Sequence, residues 1–213
     1  MIENVHWLGH ASFRIDGRQA VVYIDPWKLR KPVKADLVLV THEHFDHCSP
    51  DDVAAVSKEA TVVVCAASAT AGLQGSVGGD RLKVIAPGQE LEVAGVQVRA
   101  LPAYNTAPER QGFHPRDKAR PRVGFIVTVD GARIYHTGDT DGIPEMEGLA
   151  PDILLIPVGG TYTMDAHQAA EAARRIGAGI AVPMHWGDIV GGRADAEEFG
   201  KHYGGTVRIL EKE

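Results

Sequence analysis

Short β-branched runs punctuated by glycine- and proline-rich turns set the rhythm of this chain, and most are the length of a strand. Val5 to Ile15, Ala20 to Ile24 and Leu37 to Thr41 form an opening group, followed by Thr61 to Cys65 and Leu82 to Ile85. Val96 to Leu101, Val123 to Val129, Arg133 to His136, Ile153 to Pro157, Ile180 to Met184 and Thr206 to Leu210 continue the pattern to the C-terminus. Leu37-Val38-Leu39-Val40 has no polar position, which predicts a strand covered on both faces. Helices are fewer and are marked by their caps. Ser49-Pro50-Asp51-Asp52 offers an N-cap serine, a proline at the first helical position and two carboxylates at the positive end of the dipole. Asp165-Ala166-His167-Gln168 reads as a capping box opening an alanine-rich helix to about Ile176, and a third helix is expected over Ala194 to His202. Strands open and close the chain with helices dispersed between them. No linker or low-complexity tract divides it, so residues 1–213 are expected to form a single domain of mixed α/β class.

Composition narrows the choice of partner. A 213-residue chain with 44% hydrophobic and 23% charged residues can bury a full core, which excludes a disordered protein. The formal charge of −6 argues against general nucleic-acid binding. No apolar run approaches the length of a membrane span, and Met1-Ile2-Glu3-Asn4 does not resemble the start of a leader, so a cytoplasmic location is expected. Cys48 and Cys65 are too few for a disulfide framework and lack the C-x-x-C spacing. Cys48, next to His47, reads as a small buried thiol at a helix start rather than as a ligand.

The chemistry is concentrated in Thr41-His42-Glu43-His44-Phe45-Asp46-His47, directly after the most apolar strand. Imidazole nitrogen and carboxylate oxygen at this density are donors for zinc, iron or manganese. His42 and His44 can project the same way from an extended segment, whereas Asp46 and His47 follow as the chain turns, so the spacing points to two metals. Two later strand ends repeat the theme. Tyr135-His136-Thr137-Gly138-Asp139-Thr140 ends in an aspartate whose two oxygens could bridge a pair of cations, and Pro183-Met184-His185-Trp186-Gly187 places a histidine just past its strand.

H-x-H-x-D-H, then Gly-Asp after a strand, then a late strand-end histidine, resembles the metallo-β-lactamase superfamily. Trp7-Leu8-Gly9-His10-Ala11-Ser12-Phe13 and Tyr23-Ile24-Asp25-Pro26-Trp27 are similar to the branch of metal-dependent hydrolases that includes L-ascorbate-6-phosphate lactonase. The resemblance implies a four-layered αβ/βα sandwich with a dinuclear site at the edge of its two sheets. It also implies that His42 and His44 bind the first metal, that Asp46, His47 and His185 bind the second, and that Asp139 bridges them. The histidine that usually completes the first site is absent from Leu101-Pro102-Ala103-Tyr104-Asn105-Thr106. Either His114 folds back to supply it, or Asn105 or water replaces it, or one site is weak. His10 and His136 read as neighbours of the ligands or as buried structural histidines. Asp25 reads as a hydrogen-bond acceptor for a ligand histidine or as a turn residue. His6, His167 and His202 read as ordinary strand and surface residues.

Two cations sharing a water would generate hydroxide near pH 7 and polarise a carbonyl or phosphoryl oxygen, so hydrolysis is the expected reaction. Asp46 could bind its metal and also orient the nucleophile or take its proton. The long segment Ala103 to Arg122 carries Arg110, Arg116, Lys118, Arg120 and Arg122 against Glu109 and Asp117, either as a solvated loop or as a grip on an anionic substrate. Gly159-Gly160-Thr161-Tyr162-Thr163-Met164 could line the pocket as well, or be no more than a tight turn. The reading is therefore a hydrolase with two divalent ions, zinc first and manganese or iron next, acting on a small, anionic ester or lactone. Its rivals are a phosphodiesterase and a non-catalytic metal- or ligand-binding protein.

Overall fold

The computed structural model describes residues 1–213. Its strands form two six-stranded sheets that follow one another along the chain. The first holds β1 (Val5–Gly9), β2 (Ser12–Asp16), β3 (Val21–Ile24), β4 (Leu37–Val40), β5 (Val62–Ala66) and β6 (Leu82–Ile85) in sequence order. The second holds β7 (Glu90–Val93), β8 (Val96–Pro102), β9 (Val123–Val129), β10 (Ala132–His136), β11 (Ile153–Pro157) and β12 (Ile180–Met184), again in order. Each sheet begins with antiparallel pairs and ends with parallel ones, the change falling at β3–β4 and at β10–β11.

Strand alternation explains the layers. In β4, Leu37 and Leu39 belong to the large core between the sheets, whereas Val38 and Val40 belong to a smaller outer core with Val53 and Val56. Those two valines lie on α1 (Pro50–Val56), where Ser49 Oγ accepts from the Asp52 N–H as an N-cap. With both faces buried, β4 tolerates no polar residue. α2 (Thr70–Leu73) adds Leu73 to the same outer core. On the second sheet, α3 (Ala166–Ile176) and α4 (Arg193–Tyr203) bury Ala169, Ala170, Ala173, Ile176, Phe199 and Tyr203. The Asp165–Gln168 capping box is present, and Gly177 closes α3 at φ 78°. The result is helix, sheet, sheet, helix: the four-layered αβ/βα sandwich.

Two expectations are corrected and one strand is added. Val5 to Ile15 is not one strand, because Gly9 (φ 109°) and His10 (φ 54°) turn the chain and fold β1 back on β2. Glu90–Val93 is a strand, paired with β8 through the Ala94-Gly95 turn, where both residues have positive φ as a two-residue hairpin of this twist requires. Thr206 to Leu210 is not a strand. Only Val207 bridges Ala181, after which the chain leaves β12 and runs to β1, where the Glu213 N–H donates to Trp7 O.

Candidate metal centre

Every candidate ligand sits just beyond the carboxyl end of a strand or on a loop folded over those ends. Asp25 follows β3, the 42–47 segment follows β4, Asp139 follows β10 and His185 follows β12. His10 arrives on the β1–β2 turn, and its carbonyl accepts the N–H of His185 at 2.8 Å, tying the two sheets together. Gly138 (φ +64°) turns the chain into Asp139, and a Cβ there would lie 2.8 Å from Val123 O. Gly159 packs still closer: a Cβ would stand 2.4 Å from the carbonyl oxygen of His185.

These elements bring His42, His44, His47, Asp46, Asp139 and His185 together, and the Ala103–Arg122 segment adds His114. Ligand atoms of His42, His44 and His114 lie within 4.8 Å of one another, as do those of His10, Asp46, His47 and His185 and those of His42, His47 and Asp139. His114 Nε2 is 3.2 Å from His44 Nδ1 and 3.3 Å from Asp139 Oδ2. Asn105 lies behind it rather than in the cluster. Its N–H donates to His114 O at 2.7 Å, and its side-chain amide donates to the carbonyls of Arg110 and Tyr162 at 2.9 and 2.8 Å. Tyr162 enters through that carbonyl, while its ring meets Phe113 edge-on.

Hydrogen bonds assign the protons. Asp25 is fully buried, and it accepts from Thr41 N–H at 2.8 Å, from Thr41 Oγ–H at 2.6 Å and from His47 Nδ1–H at 2.6 Å. Since the Thr41 hydroxyl spends its hydrogen on Asp25, its oxygen accepts from His42 Nδ1–H at 3.0 Å. One carboxylate thus orients two imidazoles through Nδ1, His47 directly and His42 through Thr41, so that Nε2 of each is turned to the cluster, a role carried by a residue outside the H-x-H-x-D-H motif. His10 Nε2–H donates to Asp46 Oδ2 at 2.9 Å, and its ring packs on His185 with centroids 3.9 Å apart. His136 does not join the cluster. Nε2–H donates to Ala11 O and Nδ1 accepts from Gly138 N–H, so both nitrogens are spent on backbone and the residue is structural.

The cluster is unbalanced by itself, and this is the test of whether a cation fits. His47 Nε2, His185 Nε2 and Asp139 Oδ1 are buried with no hydrogen-bond partner, although His47 Nε2 lies 3.3 Å from Asp139 Oδ1 and His185 Nε2 lies 3.0 Å from Asp139 Oδ2. Orphaned buried donor atoms are costly, and here they converge on one another. Imidazole and carboxylate are the donor types that divalent transition metals take, so the residues fit the group. Burial lowers the pKa of His42, His44 and, to about 4, His114, leaving their lone pairs free at neutral pH. Burial opposes the charged form of His47 too, but Asp139 and Asp25 outweigh it and hold its pKa well above the ordinary value. Asp139 is held well below the carboxylate range despite its burial, by His185 and His47. Asp46 falls to about 2, burial being outweighed by the His10 hydrogen bond and the charge of His47.

The basic loop is largely neutralised. Arg110 forms a buried pair with Asp141, donating Nε–H and Nη2–H to the single oxygen Oδ1, Arg116 pairs with Glu145, and Arg122 pairs with Glu43 inside the ligand motif. Lys118 and Arg120 form no ion pair, and Arg120 reaches Ser68 O. Phe45 and Phe113, each beside a candidate ligand, are exposed, and Phe45 is edge-on to Trp27. Cys48 points away from the centre towards Ala69 O, with its thiol pushed up to about 12 by burial and the nearby Asp25 charge.

Comparison with known proteins agrees with this architecture. A family model described as a β-lactamase superfamily domain matches residues 4–185. A UPF0173 metal-dependent hydrolase of Thermoplasma acidophilum is 37% identical over 94% of this chain and 90% of its own length. A crystal structure from Parabacteroides distasonis, of a candidate metal-dependent hydrolase, superposes with a TM-score of 0.85 at 34% identity, covering 98% of this chain and 93% of that one. The metallo hydrolase Igni18 of Ignicoccus hospitalis gives 0.76 at 25% identity, covering 97% and 94%. No helix is long and apolar enough to cross a membrane. Sequence, topology and relatives together place this chain in the metallo-β-lactamase superfamily, as a metal-dependent hydrolase.

Proposed function

We propose that residues 1–213 act as one hydrolase unit on a small ester or lactone at a centre for two divalent cations. His42, His44 and His114 would hold one, Asp46, His47 and His185 the other, with Asp139 between them; zinc suits the donor set best, and manganese or iron are accommodated by the same atoms. The observation that carries the reading is the convergence of buried, unpartnered donor atoms from both sheets on Asp139. Cations bound there supply Lewis acidity, lowering the pKa of a shared water and polarising a carbonyl oxygen.

The chain's own residues do the rest. Asp25 and Thr41 fix the tautomers of His47 and His42. Asp46 is ionised at neutral pH and is held by His10 on one oxygen, so it can orient a water or take its proton. Phe45 and Phe113 offer apolar contact beside the centre, and the pairing of Arg110, Arg116 and Arg122 leaves Lys118 and Arg120 for any anionic substituent. Apolar contact from Phe45 and Phe113 and few free cationic side chains favour a carbonyl substrate, while a phosphodiester, whose charge the cations themselves would offset, is the second reading.

The test is a metal count combined with a panel of esters, lactones and phosphodiesters, some bearing an anionic group. About two equivalents of metal and hydrolysis lost on chelation and in Asp139→Ala are expected. Undiminished turnover by Asp139→Ala would sink the mechanism, and turnover of phosphodiesters alone would replace the substrate class.

A further inference from the structure

Far from this centre, on the outer face of the second sheet, α3 and α4 bring two histidines and a glutamate together. His167 is in the first turn of α3, and Glu198 and His202 are one helical turn apart on α4. One ligand atom from each lies within 4.8 Å of the others. Glu198 Oε1 is 2.7 Å from His202 Nε2 and 4.0 Å from His167 Nε2, and the imidazole centroids are 3.7 Å apart. Lys201 takes the other carboxylate oxygen at 3.1 Å, so Oε1 is the one turned to the histidines.

We propose that His167, Glu198 and His202 form a separate surface site for a zinc-class divalent cation that pins α3 to α4. Two imidazoles and a carboxylate make up a complete three-residue protein ligand set for zinc, with a further position left for water. The ligands sit on helices whose separation is already set by buried Ala169, Ala170, Phe199 and Tyr203, by Tyr203 Oη–H donating to Ala178 O, and by Arg174 donating to His202 O. Little backbone order remains to be imposed; the cation would replace the His202 Nε2–H to Glu198 Oε1 hydrogen bond and its proton, and drawing His167 in from 4.0 Å costs rotamer freedom. Copper(II) and nickel(II) would compete, since the same donors follow the Irving–Williams order.

The position gives such an ion a structural consequence. α3 begins after the turn that holds Gly159 against His185 and Tyr162 against Asn105, and α4 begins after the loop leaving His185. A cation between the helices ties down both loops on the β12 side of the buried centre while touching none of its ligands. The expected effect is therefore on heat stability and metal stoichiometry, with turnover unchanged.

The experiment is a zinc titration of the metal-loaded protein against a chromophoric chelator, run on wild type, His167→Gln and His202→Gln. Wild type is expected to take one equivalent more than either variant, and to gain a zinc-dependent rise in Tm that both variants lack. Copper(II) electron paramagnetic resonance should show a site with two nitrogen ligands from this cluster in wild type, and that signal should be absent from either variant. Asp139→Ala, aimed at the buried centre, should keep the extra equivalent. Equal stoichiometry in wild type and both glutamine variants overturns the proposal, as does loss of the extra equivalent in Asp139→Ala with the glutamine variants unaffected.

Discussion

Asp25→Asn is a nearly isosteric change that separates a turn aspartate from one that holds the centre. The native carboxylate accepts three hydrogen bonds, from Thr41 N–H, Thr41 Oγ–H and His47 Nδ1–H, at 2.8, 2.6 and 2.6 Å. An asparagine keeps one acceptor oxygen, which the rigid backbone N–H of Thr41 claims. The new amide hydrogens then face a hydroxyl and an imidazole N–H, both donors in the native protein. The hydroxyl can rotate, but His47 can accept only by giving up its Nδ1 proton, which leaves the ring's proton on Nε2, the atom turned towards Asp139. Metal binding must displace that proton or forgo the hydrogen bond. A hydrogen bond to a charged group contributes about 1.5–3 kcal/mol, and loss of such a partner behind a ligand histidine typically weakens metal binding by about 10–100-fold. The rotated hydroxyl also releases His42 Nδ1, so both cations should be held less tightly. Competition with a chelator of known affinity, with circular dichroism to establish folding, measures this. Wild-type affinity for both ions in a folded Asp25→Asn protein would refute the tautomer argument.

Three further outcomes are expected. His114→Ala should lose about one metal equivalent by elemental analysis and about 100-fold or more in turnover, whereas His136→Asn, whose parent side chain is spent on backbone, should keep both metals and show any defect as a lower Tm. Metal uptake should differ in pH dependence between the two sites. The pKa values of His42, His44 and His114 lie below the ordinary imidazole value, His114 near 4, so their ion should bind with little dependence on pH between 6 and 8; the raised pKa of His47 makes protons compete there, and affinity at its ion should rise with pH over the same range, read by calorimetry in buffers of different ionisation enthalpy. Cys48 and Cys65 are raised to about 12 and about 11, Cys65 by burial, so a thiol reagent at pH 8 should label neither until denaturant is added.

How much of this was legible depends on whether the signal was local. The 42–47 motif, Asp139 and His185 could be read because each is a strand end followed by donor residues, and strand ends are written in hydrophobic runs. α3 could be read because Asp165 and Gln168 satisfy one another within four residues. β7 was missed although its signal was present: Glu90-Leu91-Glu92-Val93 alternates with period two and faces β8 across Ala94-Gly95. Whether the 103–122 segment is a solvated loop or an anionic grip could not be read from sequence for a non-local reason: Asp141, Glu145 and Glu43, which pair Arg110, Arg116 and Arg122, lie far from them in the chain, and only Lys118 and Arg120 are left without an ion pair.

The least legible feature was the backbone conformation that three residues of the centre adopt. His10, Asp25 and His185 all occupy positive φ, at 54°, 48° and 60°, where a residue with a Cβ incurs roughly 1–3 kcal/mol of strain. Nothing in the local sequence selects that conformation; glycine would be cheaper at each position. The conformation persists because the surroundings over-determine it: His185 N–H is bound by His10 O, Trp7 Nε1–H donates to the same carbonyl, and Asp25 is held by Thr41 from the next strand. Each strained residue sets its side chain against the ligand cluster: His10 on Asp46, Asp25 on His47 and His185 on Asp139. The strain is thus sustained by contacts among the β1–β2 turn, β3, β4 and β12: Asp25 is held within the first sheet, whereas His10 and His185 hold one another across the two, so the centre is complete only when the sandwich is closed.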